Sequence, residues 1–147
     1  MPWDHPHPHT QPVAPSAADI DGLDHTNNAV YLRWCEQVAW AHSHALGLTL
    51  ADYRRLGRAM VIRHAEYDYL LPTALGDTLV LGTWLVAGDG RLTLRRAFQL
   101  VRTRDGATVL RGHWDLVCIE LASGRPRRMP EEFVRAYVTT LADSSSA

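Results

Sequence analysis

The chain has 147 residues, 46% apolar and 21% charged, with a formal net charge of −1 at pH 7. That length suits a single domain with its own core, and the even charge balance lacks the basic excess on which nucleic-acid binding rests. No apolar run reaches the length of a membrane span and no apolar signal core opens the chain, so a cytoplasmic protein with no membrane partner is expected.

The first nine residues, MPWDHPHPH, alternate His5, His7 and His9 with prolines. Proline blocks a regular helix, so residues 1–17 are expected to be a flexible segment with no more than incidental metal affinity. Pro12 and Pro15 confine any strand between Thr10 and Ala18 to an edge or an interrupted one. A single folded domain is expected over residues 18–141, followed by a disordered tail at 142–147. The first strong element begins near Asn28. AVYLRWCEQVAWAHSHALGL is apolar around most of a helical circumference, with Tyr31, Trp34, Cys35, Val38 and Ala45 on one broad stripe. Such a helix is expected to be surrounded by protein, and Gly47 to stop it. LTLADYRRLG reads as a short surface helix capped by Thr49 and ended by Gly57.

After Gly57 the periodicity changes. Strands are predicted at Ala59 to Leu70, Thr78 to Ala87, Leu92 to Thr103 and Thr108 to Leu121, the third alternating through Leu92, Leu94, Phe98 and Leu100. Short glycine-containing links at 88–90 and 104–106 make antiparallel neighbours, so a meander of the four long strands is expected. Pro130, Glu131 and Glu132 open a C-terminal helix, with proline at its first position. Cys35 and Cys118 lie far apart in apolar segments and read as reduced core residues. The tryptophans Trp34, Trp40, Trp84 and Trp114 read as core or interface. One central helix and a curved sheet of five strands make an α+β fold.

The stretch DIDGLDHTNNAVYLRW, from Asp19 to Trp34, concentrates carboxylates, a histidine and two asparagines just where the helix begins. A helix start has unpaired N–H groups and partial positive charge, which polarise a carbonyl or hold an anion. A carboxylate beside it can attack that carbonyl or activate water. Capping alone explains one or two of these residues. Asp19 reads as structural. Asp24 reads equally as a loop hydrogen-bonding group or as a charge that tunes Asp21, and either Asn27 or Asn28 caps the helix. His64 with Glu66, and His113 with Asp115, share faces of their strands; a solvated face or a subunit contact is favoured over a second site. Arg125, Arg127 and Arg128 form a basic loop that is either solvated or turned to an anionic ligand.

The pattern Asp21-x-x-x-His25-x-Asn27-Asn28-x-x-Tyr31 is similar to the D-x-x-G-H-V-N-N-x-x-Y signature of hotdog-fold acyl-CoA thioesterases of the 4-hydroxybenzoyl-CoA thioesterase type. Tyr69-Leu-Leu-Pro72 with Gly76-Asp77, and Ser123-Gly-Arg-Pro126 with Pro130-Glu-Glu-Phe133, resemble the same family, so the likeness runs from about Ala18 to Tyr137. Two positions depart from it: Asp24 stands where the family has glycine, and Thr26 where it has valine. The resemblance implies a five-stranded antiparallel sheet wrapped around one long central helix. It implies hydrolysis of an acyl-CoA without metal or prosthetic group, by a homodimer or homotetramer whose site forms across a pair of chains. Asp21 is then nucleophile or general base, the Asn28 N–H polarises the carbonyl, and His25 orients. Asn27, Tyr31 and Asp24 are candidate substrate contacts, and Arg125, Arg127 and Arg128 are candidates for the coenzyme's phosphates. The rivals are a hydratase using His64 and Glu66, and a non-catalytic acyl-CoA-binding subunit.

Overall fold

Chain order and sheet order part company in this protein. The computed structural model describes residues 2–142. It contains strands β1 (His9–Val13), β2 (Arg58–Tyr69), β3 (Leu79–Gly88), β4 (Thr93–Arg102) and β5 (Thr108–Glu120), with helices α1 (Asn28–Ala45), α2 (Leu50–Leu56) and α3 (Glu131–Tyr137). All pairings are antiparallel and the strand order is β1-β3-β4-β5-β2. The four long strands begin and end within one residue of expectation, and the glycine turns join β3 to β4 and β4 to β5.

The expected meander needs one correction. β2 does not lie beside β3 but crosses to the far edge, pairing with β5 from Arg58↔Glu120 to Tyr69↔Leu110. The link that follows β2 makes no tight hairpin: Thr73 is buried and its carbonyl accepts the Thr26 N–H at 2.8 Å, so the chain is carried under the loop before α1.

α1 buries Val30, Tyr31, Trp34, Cys35 and Val38 against the concave face of the sheet. It is not enclosed by its own chain, because Leu32, Glu36 and Trp40 on the opposite side stay exposed, as does Ala45. The helix is also shorter than its apolar run. Leu46 caps it, and Gly47 at φ 90° turns the chain out of helical conformation. α2 keeps both expected ends: Thr49 and Asp52 form a reciprocal capping box, and Gly57 sits at φ 64°. Pro130 caps α3 from outside instead of occupying its first turn.

The proline- and histidine-rich segment is laid across the outer face of the sheet. Trp3 packs edge-on against Trp84 with ring centroids 5.9 Å apart. Asp4 pairs with Arg111 at 2.7 Å, and Gln99 donates through Nε2 to the Pro2 carbonyl at 2.8 Å. Gly82 makes room for this, since a Cβ there would stand 2.8 Å from the Trp3 ring. The chain turns at His7, φ 56°, and returns as the edge strand β1, the place its proline allows. Composition alone suggested flexibility because the partners of residues 2–6 all lie more than 70 positions away in the chain, at Trp84, Gln99 and Arg111. Of the expected tail, 143–147 fall outside the described residues, and Ala142 donates its N–H to the Leu85 carbonyl at 2.8 Å. Cys35 and Cys118 are buried and unpaired, and burial pushes the Cys35 thiol up to about 12.

Candidate active site

The loop before α1 is built as a closed ring. Asp19 anchors its entry, accepting from the Ser16 N–H at 2.9 Å and from Arg33 Nη2 at 3.0 Å. Those two contacts, the Ser16 N–H foremost, hold its carboxyl below the usual range. The Asp19 carbonyl accepts the Asn27 N–H, and Ile20 bridges Thr26, so residues 20–26 are pinned at both ends. Inside the ring, the Asp21 N–H donates to the His25 carbonyl at 2.8 Å. Asp21 Oδ1 accepts the N–H groups of Leu23 at 2.8 Å and His25 at 3.2 Å. Oδ2 receives no donor among the described residues, and the side chain is exposed. Asp24 takes φ 62°, the left-handed conformation that the glycine of the resembling signature adopts readily and that aspartate tolerates better than most residues. The departure at Asp24 therefore keeps the loop shape.

Asn27 is the cap: its Oδ1 accepts the Ala29 N–H at 3.1 Å. Asn28 opens the helix, and its N–H has no acceptor among the described residues. Tyr31 is 4% exposed and faces inward. Thr73 gives its hydroxyl proton to Thr26 at 2.7 Å, so Tyr31 is the donor in the 2.8 Å bond to Thr73. This chain absorbs the hydroxyl that Thr26 brings in place of valine, and it makes Tyr31 a structural tie beneath the loop. The imidazole of His25 and the carboxylate of Asp24 are exposed and make no side-chain bond among the described residues.

Within one chain the structure does not bring the basic loop to this place. Arg125, Arg127 and Arg128 are exposed after β5, and Arg127 pairs with Glu120 at 3.1 Å. Glu120 faces Arg58 at one end of the β2–β5 ladder, whereas Tyr69 and the Thr73 link lie at the other. Eleven strand steps separate them, roughly 36 Å. His64, Glu66, His113 and Asp115 gather on the outer face, because their neighbours Tyr67 and Trp114 point toward α1. His64 Nε2 lies 3.3 Å from Glu66 Oε1, and one ligand atom each from His64, His113 and Asp115 falls within a 4.8 Å span. Asp115 is held by Arg95 at 2.7 Å.

One polar residue in the interior escaped the sequence reading. Arg96 is 3% exposed and lines a cavity of about 270 Å³ between α1, the sheet and α3. Its Nη1 donates to His42 Nδ1 at 2.8 Å and to Thr83 Oγ1 at 3.2 Å. Burial lowers its guanidinium to about 10, still protonated at neutral pH. The signal was present: Arg96 falls in phase with Leu94, Phe98 and Leu100, so alternation alone sends it inward.

Residues 15–137 match the family model of the thioesterase-like superfamily, well over half of the chain. The chain belongs to that superfamily. Protein THEM6 of Danio rerio is 38% identical over 71 residues, 48% of this chain and 35% of that protein, so the match spans about a third of the relative's length. Among solved structures, the hypothetical protein SAV2348 from Staphylococcus aureus, in complex with CoA, superposes with a TM-score of 0.82 at 20% identity, covering 92% of this chain and 86% of that one. Slr0204, a 1,4-dihydroxy-2-naphthoyl-CoA thioesterase from Synechocystis, gives 0.80 at 19% identity, covering 90% and 96%. These likenesses establish the hotdog fold. Among the described residues no helix is long and apolar enough to cross a membrane.

Proposed function

We propose that this chain is an acyl-CoA thioesterase of the 4-hydroxybenzoyl-CoA thioesterase type, with its site in the loop that precedes α1. The observation that carries the reading is the division of labour within that loop. Asp21 Oδ1 is spent on the loop's own N–H groups, which leaves Oδ2 open beside a helix start whose Asn28 N–H is unpaired. With Asp21 as general base, Oδ2 takes a proton from water while the water oxygen attacks the thioester carbonyl. The resulting oxyanion is held by the Asn28 N–H and the positive end of α1. Collapse breaks the C–S bond and releases the free acid and the coenzyme A thiol. As nucleophile, Asp21 would instead form an anhydride that water then opens; labelled water separates the two routes. His25 borders the site through its backbone, and the chemistry needs no metal.

A second chain completes the site. β2 is a twelve-residue strand whose outer edge pairs with nothing among the described residues, flanked by exposed Ile62, Tyr69, Leu70 and Leu71. A long apolar-flanked edge of this kind calls for cover. Two β2 edges paired antiparallel would bring the Arg58 end of one chain to the Tyr69 end of the other. The partner subunit's Arg125, Arg127 and Arg128 would then lie near the Asp21 loop, where they suit the coenzyme's phosphates. The hydratase reading loses support because His64 and Glu66 stand on the face away from α1.

The test is free-thiol release from a panel of acyl-CoAs, wild type beside Asp21→Asn. Release by the wild type that is lost in the variant supports the reading. Equal release by both removes Asp21 from the chemistry, and no release from any member favours a non-catalytic binding subunit.

A further inference from the structure

The cavity that Arg96 lines is amphipathic. Trp114, Leu116, Met60 and Ile62 furnish an apolar wall, and one end is polar. A guanidinium has five N–H donors. Two are accounted for by His42 and Thr83, both neutral acceptors, and the other three find no acceptor among the described residues. No carboxylate among the described residues pairs with Arg96. An arginine this buried, with two neutral acceptors and no counter-ion among the described residues, is desolvated at a cost that its two hydrogen bonds offset only in part. At the same end, Ser43, Tyr53 and Tyr137 also line the cavity. Their three hydroxyls share two hydrogen bonds, Tyr53 to Tyr137 at 2.6 Å and Ser43 to Tyr137 at 3.0 Å, so one O–H proton remains to donate. The vacant donors are therefore a planar cation and a hydroxyl, and a carboxylate is the ligand whose two oxygens match such a fork. The one acid lining the cavity, Glu36, is exposed on the open side of α1.

We infer that this cavity receives the far end of an acyl group that terminates in a carboxylate, which pairs with Arg96. The volume equals roughly nine waters at ~30 Å³ each, the room for a short acyl chain. The inference rests on the thioesterase reading for its substrate class. Antiparallel β2 pairing also makes the geometry plain: Met60 and Ile62 lie toward the end of β2 that meets the partner's Asp21 loop, so the thioester and the acyl terminus would be held by different chains.

Two measurements on the full-length protein test it separately. The first compares kcat/KM for octanoyl-CoA and for suberyl-CoA, its carboxyl-terminated counterpart, in wild type, Arg96→Met and Arg96→Lys. Wild type should prefer suberyl-CoA. Arg96→Met should reduce the suberyl-to-octanoyl ratio roughly tenfold to hundredfold, the worth of a charge-assisted pair, and Arg96→Lys should lie between. The second is calorimetric titration with free suberate, which involves no hydrolysis, with Arg96→Lys carrying the comparison if Arg96→Met does not fold. Suberate binding that weakens in the variants while neither thioester is cleaved supports the subsite and overturns the thioesterase reading. Hydrolysis with no preference for the carboxylated substrate, or suberate binding indifferent to Arg96, overturns the inference.

Discussion

The two ends of α1 both carry polar chemistry, and they arrange it in opposite ways. At the N-terminal end, Asp21, Asp24, His25 and Asn28 are exposed, and the shape comes from backbone: the Asp19 carbonyl, the Asp21–His25 ring and the left-handed Asp24. At the C-terminal end, Arg96, His42, Ser43 and Thr83 are buried or half-buried, and side chains bond to side chains. An exposed loop shaped largely by its main chain keeps its open acceptor and donor. A buried network shaped by side chains leaves a charge in low dielectric, where an ion pair is far stronger than in water. The first arrangement suits turnover and the second suits selection.

The sharpest way to break this comparison is Asp21→Asn. Asparagine keeps an Oδ1 acceptor for Leu23 and His25, so the loop should hold, with a thermal midpoint within a few degrees of wild type. Loss of the base should lower kcat about a hundredfold to ten-thousandfold. A large fall in midpoint with activity retained would make Asp21 a cap. Next in size is Asp24→Val. A β-branched residue at φ 62° should cost about 1–2 kcal/mol in urea unfolding, whereas Asp24→Gly should be neutral or stabilising. Tyr31→Phe removes the donor to Thr73 and should cost about 1 kcal/mol with little change in the C-terminal cavity's ligand preference.

A different lever is a pH slope at the buried end. Burial first, then the Arg96 charge, lowers the His42 imidazole to about 3. Unfolded histidine binds its proton near 6.5, so between those values the unfolded state holds a proton that the folded state refuses. The contribution of His42 to stability is therefore whole above pH 6.5 and declines as pH falls toward 3. His9, stacked on His42 with ring centroids 5.0 Å apart and also lowered, acts in the same direction. Urea midpoints measured from pH 7 to 4.5, above the range where depressed carboxylates such as Asp89 titrate, should fall for wild type. The fall should be shallower for His42→Asn, which keeps an acceptor for Arg96 without the titration.

The sequence was legible where a local rule decided the outcome. Alternation set β4 through Leu94, Phe98 and Leu100, reciprocal capping set α2 from Thr49, and the Asn27–Asn28 pair set the start of α1. The candidate loop was legible as a motif, and its closure by Asp21 Oδ1 was not, because an Asx-type bond depends on backbone angles that composition leaves free. What stayed hidden was long-range. The crossing of β2 to the far edge depends on Thr73 passing under the loop. The seating of Trp3 depends on Gly82, 79 positions away. Arg96 was hidden for a different reason: arginine is so seldom buried without a partner that its place in an inward phase was passed over.

The path of the first residues has a practical consequence for handling the protein. Pro2 is bonded to Gln99 and Trp3 rests on Gly82, so the chain departs from the middle of the sheet's outer face and not from an edge. A molecule tethered to a support through an N-terminal handle would present its outer face to the support. The loop before α1 and the mouth of the Arg96 cavity, both on the α1 side of the sheet, would point toward the solution. Immobilised assays of ligand capture should therefore be oriented by this terminus.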